Sequence, residues 1–446
     1  MGRPFLMLAA CGFLIMASHG VARPVSNALF LQYFGSSDML WGMALVPVLA
    51  TLLLLPYSWA LTRFGPGITC AGSTLLSAFV LSLPWFFPGA VPVFLLYVWK
   101  EVYVVLLVEQ FWALANSTFS LRGSKNAYGP ILLIGGLGAV AGSELVARFS
   151  TRLGTWAIYP LSPLLLIPFG VLMVIAHRSR VARAASKGAE THAGHGPAQG
   201  LDTLPARADG SGGAGDAGSR REPRSSESRK EGGLGFGLLA SSGFLTSIAV
   251  VVGLGQVMVA ALDVVFHREL ELAIVGLDAR SAYEGRFWGW VNGGSMVLQL
   301  AAPFLLRLFS VPLLHLLIPL THVVAVGAMM LFGGLFAAAA AFSWLKIVDY
   351  SVFRSCKEVL YVPLDFDSRY RAKMAIDMVI YRATKGGAAL LLSVLGGLTA
   401  AATRLLPVTA LGAAAAWVFF ALKIGRGFAT LEADTQVVSK GDSPGD

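Results

Sequence analysis

Charged side chains are scarce in this chain. Asp, Glu, Lys and Arg make up 13% of its 446 residues, about half of the roughly 25% usual in a soluble domain. Cysteine is scarcer still. Cys11, Cys70 and Cys356 each fall in an apolar stretch, far from one another in sequence, which argues for packing thiols and against a disulfide framework or a thiolate metal site. Regular alternation of polar and apolar residues is missing too: stretches such as 44–61 and 313–340 are predominantly apolar. A membrane β-barrel needs segments of about ten residues with alternating polarity, so that class is excluded. What the chain has in abundance is apolar residues, 56% of the total, with a mean hydropathy of +0.68. Runs of the roughly 20 residues that a helix needs to cross a bilayer follow one another almost without pause. This composition excludes a soluble enzyme and a disordered chain, and reads as an all-α polytopic membrane protein. The first apolar run begins near Phe5 with no small-residue cleavage site ahead of a soluble body. It reads as a transmembrane helix rather than a removable leader.

Helix-length hydropathy windows predict spans near 5–33, 39–62, 67–87, 90–116, 126–150, 155–176, 238–266, 285–308, 311–338, 341–363, 373–402 and 405–425. That is six spans, a break and six more. The break, 177–236, is rich in Gly, Ser, Ala and charge; it cannot bury enough apolar area to offset its conformational entropy and reads as a disordered linker. In this layout 21 Lys and Arg lie on the linker's side of the membrane and six on the other; without the linker the bias is still eleven to six. By the positive-inside rule the linker and both termini are expected in the cytoplasm. The net charge of +9 is therefore mostly topological and calls for no nucleic-acid partner. The expected organisation is an N-terminal six-helix half over 1–176, the linker over 177–236, a C-terminal six-helix half over 237–426 and a cytoplasmic tail over 427–446. Twelve helices in two six-helix halves form the major-facilitator-like arrangement, with a central cavity at mid-membrane.

Seven cations (Arg23, Lys100, Lys346, Arg354, Lys357, Arg382 and Lys385) and seven acids (Glu101, Glu109, Glu144, Asp263, Asp349, Glu358 and Asp377) fall inside these spans. Each costs about 2.5–3.5 kcal/mol at a lipid-exposed helix centre, so they are expected to face protein or water. Glu144 and Asp263 have no charged companion nearby in sequence and read as structural. Spans 4 and 10, equivalent in the two halves, both carry Lys-Glu-Val, at 100–102 and 357–359. At about 100° per residue, Lys346, Asp349, Arg354, Lys357 and Glu358 share one half of a regular helix, a face able to line water. Arg354 and Glu358, four apart, can pair. Span 11 adds Asp377, Arg382 and Lys385, then Gly386-Gly387, a small face for close helix approach. Cations in such a cavity suit an anionic substrate, and the acids hold them when it is empty or carry protons.

Other features read as structural. The Gly135-Gly136-Leu137-Gly138 run lies inside a span with no preceding strand, so it reads as helix packing and not as a nucleotide-binding loop. His315 and His322 share a helix face without a carboxylate or thiol beside them, so neither a metal site nor a cofactor is expected. Trp112, Trp288 and Trp290 lie near span ends and read as interface anchors.

The stretch from Asp349 to Asp365, with Lys357-Glu358-Val-Leu-Tyr-Val-Pro-Leu-Asp at its core, continues through Lys373-Met-Ala-Ile-Asp377 to Arg382-Ala-Thr-Lys385-Gly-Gly. It resembles the signature region of the ATP/ADP translocase family, nucleotide transporters of intracellular bacteria and plastids with a major-facilitator-like fold. A second segment, Phe111-Trp-Ala-Leu-Ala-Asn116 with Lys125-Asn-Ala-Tyr128, is also similar to that family. The resemblance implies roles for Asn116, Lys357, Glu358, Asp377 and Lys385. The chain departs from the pattern in two places. The family typically has Lys-Asp three and four residues after its span-1 Arg, where this chain has Ser26-Asn27 after Arg23; and in span 10 Asp349 and Arg354 exchange the usual signs.

Together these readings predict a secondary transporter, not an enzyme, in the bacterial inner membrane. It would act as a monomer in the lipid bilayer and move an anionic, nucleotide-like metabolite by ATP/ADP-type exchange and alternating access. Arg23, Lys100, Asn116, Lys346, Arg354, Lys357, Arg382 and Lys385 are the expected substrate contacts, and Glu101, Glu109, Asp349, Glu358 and Asp377 the coupling or ion-pair acids. The alternatives are a proton-coupled transporter of another organic anion or of a lipid headgroup, and a transporter-fold sensor signalling through the linker.

Overall fold

The computed structural model describes residues 2–119, 121–193, 236–365, 368–398 and 402–441. The expected linker (177–236) lies largely outside the described residues, as does the end of the tail. Every described element is a helix: α1 (Arg3–Tyr33), α2 (Met39–Phe86), α3 (Ala90–Thr118), α4 (Leu121–Leu153), the short α5 (Thr155–Ile158), α6 (Leu161–Ala193), α7 (Phe236–Ser241), α8 (Gly243–Ala273), α9 (Leu277–Leu308), α10 (Val311–Phe332), α11 (Gly334–Val348), α12 (Arg354–Leu360), α13 (Tyr381–Leu398) and α14 (Ala402–Gly441). Three π-helical turns, Asp349–Phe353, Ser368–Ala372 and Ala375–Ile380, join α11 to α12 and lead into α13.

These elements give the twelve crossings. At about 1.5 Å per residue, the 48 residues of α2 span some 72 Å, twice what one crossing needs. The helix is interrupted at Gly65, whose φ of 75° lies in the left-handed region, and α2 therefore supplies two spans, 39–64 and 66–86, as expected. The boundary between the ninth and tenth spans differs from the sequence reading. The break expected near 339–340 falls instead at Gly333-Gly334, both at positive φ. Five alanines follow this pair; they continue the helical ladder without strain, whereas two consecutive left-handed glycines cannot.

Packing separates the helices by role. The most apolar window of α8 is 78% buried and that of α2 only 22%, so α8 is central and α2 peripheral. Leu55, Ile68, Leu331, Phe332 and Phe336 stand exposed, an apolar surface suited to lipid. The glycine run of α4 does pack as expected: Gly138 and Gly142 lie directly against backbone carbonyls of Phe13 and Ala17 on α1, and a Cβ at Gly20 would come within 2.6 Å of Ala139 O. A Cβ at Gly386 on α13 would come within 2.5 Å of Pro47 Cγ on α2.

The two halves meet on one side. Where α1 ends and α9 begins, Ser36 N donates to Glu271 Oε2 at 2.9 Å, and Thr155 N donates to Asp278 Oδ1 at 2.6 Å. In the same place burial and the Glu271 charge push the Asp38 carboxyl above its ordinary range. A Cβ on Gly285 of α9 would sit 2.5 Å from Ala147 N and 2.7 Å from Ser143 O of α4. Asn27–Glu284, Asn292–Ser143 and Lys385–Glu101 add hydrogen bonds between the halves, running from this side to mid-depth.

Candidate functional site

At mid-depth, Arg23, Asn27, Tyr97, Lys100, Glu101, Asp263, Trp288, Phe342, Lys346 and Lys385 face a common cavity, with Met43, Val46 and Val259 between them. Its residues come from α1, α2 and α3 of the first half and α8, α9, α11 and α13 of the second. About 30 Å³ of free space remains, room for one water, whereas small-molecule sites run to about 300–1,000 Å³. The site is contracted and must open to take an organic substrate.

Its charges fall into two groups. Glu101 is shared by Arg23, at 3.6 Å, and Lys385, at 3.4 Å, so α13 is tied to α3 across the halves. Lys100 and Lys346 have no carboxylate within ion-pair distance among the described residues. Lys100 Nζ donates to Tyr97 O at 3.2 Å and lies 3.4 Å from the centroid of the Tyr97 ring. Lys346 Nζ is 5.5 Å from the rings of both Phe342 and Tyr350. Both lysines are buried, 2% and 6% exposed. They stand on the fourth and tenth crossings, the equivalent helices of the two halves. Four cations and two carboxylates line the cavity, leaving two positive charges over.

The structure sorts the sequence candidates. Arg23, Lys100, Glu101, Lys346 and Lys385 converge on the cavity; the others do not reach it. Lys357 pairs with Asp377, and Glu358 with Lys373 rather than with Arg354. Arg354 is exposed and Arg382 half-buried. Asp349 is half-buried in the π-turn, and Glu109 is exposed. Asn116, also exposed, accepts from Tyr128 Oη at 2.5 Å. The π-turn at 349–353 explains why the single polar face breaks up. An i→i+5 turn inserts a residue and rotates all that follows by about 100° relative to a regular helix, carrying 354, 357 and 358 off the face that holds Lys346. The two Lys-Glu-Val triplets are consequently not equivalent: Lys100 lines the cavity, while Lys357 lies about 16 Å along the helix from Lys346. The half-buried Lys357–Asp377 pair makes a prediction. Lys357→Ala or Asp377→Ala alone should destabilise the protein by about 1–3 kcal/mol by stranding a charge, and the double variant should recover most of that loss in thermal denaturation.

Residues not foreseen as functional complete the site. Asp263, read as structural, lines the cavity, whereas Glu144 is paired with Arg148 at 3.1 Å. Trp288, read as an interface anchor, is 3% exposed; the Arg23 guanidinium lies 3.7 Å above its ring, and its Nε1 donates to Glu284 Oε2 at 3.0 Å. Glu284 and His267 are fully enclosed behind the cavity wall. Asn27 Nδ2 donates to Glu284 Oε2 at 3.1 Å. The sequence signal for these groups was a span edge: His267 and Glu284 stand one residue outside the predicted spans 238–266 and 285–308.

Comparison with known proteins bears on the same region. Residues 286–428 match the family model described as TLC ATP/ADP transporter. The chain is 26% identical over 224 residues to ADP,ATP carrier protein 2, chloroplastic, of Arabidopsis thaliana, covering 45% of this chain and 36% of that one. It is 27% identical over 235 residues to ADP,ATP carrier protein 1 of Chlamydia pneumoniae, covering 47% and 45%. The match thus spans less than half the length of either relative. Among solved structures, the nucleoside transporter NupG superposes with a TM-score of 0.60 at 10% identity, over 96% of this chain and 99% of that one. An auto-inhibited POT family peptide transporter gives 0.60 at 11%, over 97% of both, and a D-xylose-proton symporter 0.57 at 13%, over 93% and 96%. At such identities these likenesses establish the fold alone, and that fold is the major-facilitator-like one.

Proposed function

We propose that this chain, a divergent member of the TLC ATP/ADP transporter family, is a secondary transporter and not an enzyme, moving a nucleotide-like anion by alternating access and exchanging one such anion for another. The observation that carries this reading is the Lys100–Lys346 arrangement: two buried cations, one from each half, that face one cavity without a carboxylate partner. Unpaired buried cations are costly, and an anionic group arriving between them would neutralise both and draw the halves together. Tyr97, Trp288 and Phe342 offer aromatic faces to the rest of such a substrate. Exchange follows from the same electrostatics, because the empty cavity keeps its charge surplus and a second anion restores the neutral state.

In this reading Arg23 and Lys385 also contact substrate once it displaces Glu101. Asn116, Arg354, Lys357 and Arg382, with Glu109, Asp349, Glu358 and Asp377, act on the side where α12 lies, where their ion pairs rearrange as the carrier turns over. By the positive-inside rule that side is cytoplasmic, as are the termini, and the membrane is the bacterial inner membrane. One chain supplies both walls of the cavity, so the monomer is the working unit. Thermal denaturation of the purified protein tests the substrate class. ADP and ATP should each raise the melting temperature in step with RT ln(1 + [L]/Kd), and neutral nucleosides should do so far less. Equal stabilisation by nucleosides, or none by any nucleotide, would contradict the reading.

A further inference from the structure

Each of the four cations in the cavity has an aromatic or imidazole ring one helical turn away, always toward the side where α12 lies. His19 stands four residues before Arg23 on α1, Tyr103 three after Lys100 on α3, Tyr350 four after Lys346, and Tyr381 four before Lys385 on α13. A helix rises about 1.5 Å per residue, so this second layer lies about 5–6 Å from the first. Residues one turn apart share a helix face, and the rings continue the wall that the cations begin. His19 is within electrostatic reach of Arg23, Lys100 and Glu101, and Tyr350 of Arg23, Lys346 and Glu101. Tyr381 reaches Tyr350 and Glu101 in the same way. Glu101 is thus a common neighbour of His19, Tyr350 and Tyr381.

The two layers differ in access. Tyr97, Trp288 and Phe342, in the cavity itself, are buried, and each has one face taken: by Lys100 at 3.4 Å, by Arg23 at 3.7 Å and by the Phe287 ring at 5.5 Å. Their remaining faces suit the ribose of a nucleotide. His19, Tyr350 and Tyr381 are only half-buried, so each keeps an open flank. Tyr103 does not. It is fully buried, its hydroxyl 3.3 Å from Ser18 Oγ, and it backs the His19 ring edge-on with 6.1 Å between centroids. His19 Nδ1 is itself buried and has no hydrogen-bond partner among the described residues. A stranded ring nitrogen is costly until a donor or acceptor meets it, and tyrosine hydroxyls serve in either role.

A ligand for this layer is flat, carries hydrogen-bonding atoms on its rim, and is joined to an anionic group by a spacer about one helical turn long. A nucleobase linked through ribose to phosphate has that shape, whereas a bare phosphate or a small carboxylate would leave the layer empty. We propose that His19, Tyr350 and Tyr381 form a base-binding subsite, which stacks and hydrogen-bonds the heteroaromatic base of the substrate while Lys100 and Lys346 hold its phosphate. This rests on the reading of the cavity as an anion site and adds the group by which one anion is told from another. From the side where α12 lies, the substrate enters phosphate first and its base follows to the rings. His19 belongs to the first half, Tyr350 and Tyr381 to the second, so the base bridges the halves as the phosphate does.

The test uses the full chain in proteoliposomes, with labelled ADP exchanged against internal ADP in the presence of AMP or ribose 5-phosphate as competitor. The two share ribose and phosphate and differ in the base. In the wild type AMP should inhibit about tenfold more strongly, the scale of one base stacked on an aromatic ring. His19→Leu, Tyr350→Leu and Tyr381→Leu should each weaken inhibition by AMP by up to about tenfold and leave that by ribose 5-phosphate unchanged. A ring kept for packing alone would weaken both competitors together and leave their ratio as it was. Photolabelling of the wild type with 8-azido-ATP needs no variant to fold: crosslinks should fall on the peptides that carry His19, Tyr350 or Tyr381 and vanish with excess ADP. Equal inhibition by the two competitors, an unchanged ratio in all three variants, or crosslinks confined to other peptides would overturn the proposal while leaving the anion site standing. Where exchange is absent, the crosslinks alone decide. Absence of both exchange and ADP-protected crosslinks in the wild type would overturn the anion reading itself, and the subsite with it.

Discussion

Lys100→Met and Lys346→Met should each abolish transport while raising the melting temperature of the detergent-solubilised protein. Methionine matches the lysine stem in length and removes the charge, so packing against Tyr97 or Phe342 is retained. An ammonium buried at mid-membrane carries a cost on the scale of 2.5–3.5 kcal/mol, and neither lysine has a carboxylate to offset it in the closed state. Removing it relieves the protein. The substrate loses a charge-assisted contact of about 1.5–3 kcal/mol, roughly a tenfold to hundredfold loss of affinity for each lysine. The opposite signs are the point of the experiment. A lysine kept for structure would lower stability when replaced, and a lysine irrelevant to substrate would leave uptake intact; either result, at both positions, would remove the pair from the site. Glu101→Gln should behave differently, destabilising the protein because it strands Arg23 and Lys385 together.

Gly285→Val should hold the carrier open on the side where α1 ends. The Cβ of any residue at 285 would meet backbone atoms of Ala147 and Ser143 at 2.5 and 2.7 Å, and backbone cannot swing aside as a flexible side chain would. Overpacking of this kind costs about 1–3 kcal/mol, and here that cost falls only on the closed arrangement. The closed population should drop about tenfold to a hundredfold, with transport falling in parallel. Ser36, almost fully buried at this contact, reports on it. In a Ser36→Cys background a membrane-impermeant maleimide should label slowly, and Gly285→Val should speed the labelling. The three native cysteines are buried and add little background. Labelling unchanged by Gly285→Val, with normal uptake, would show that α4 and α9 do not part during turnover.

Much of this architecture is legible in the sequence because lipid leaves a chain little choice. Apolar runs of spanning length, a basic surplus on one side and a polar break in the middle suffice for twelve crossings in two halves. The small residues of α4 also announce their use, since Gly138 and Gly142 permit the backbone contact with α1 that larger residues forbid. The site is only half legible. Lys100 and Lys346 stand out as charges in the wrong solvent, but nothing local says that a π-turn separates Lys346 from Lys357, and regular helical geometry joins them on one face. His267 and Glu284 were hidden by boundaries. Each lies one residue outside the span drawn for it, where a charged group reads as a loop residue, yet the helices run on to Ala273 and begin at Leu277 and enclose both. The same edge misplaces Trp288, whose indole reads as an interfacial anchor until Arg23 is found above it. The departure from the family pattern at Asn27 is legible only in three dimensions, against the carboxylate of Glu284.

The account stands or falls on whether the cavity between Lys100 and Lys346 carries a nucleotide. The most direct measurement is uptake of labelled ATP into proteoliposomes preloaded with ADP, compared with the Lys100→Met/Lys346→Met double variant in the same vesicles. The account predicts saturable uptake that unlabelled ADP inhibits in the wild type, and no uptake above the protein-free background in the double variant despite its higher melting temperature. Equal uptake by the two proteins, or wild-type vesicles that transport no nucleotide, would contradict it.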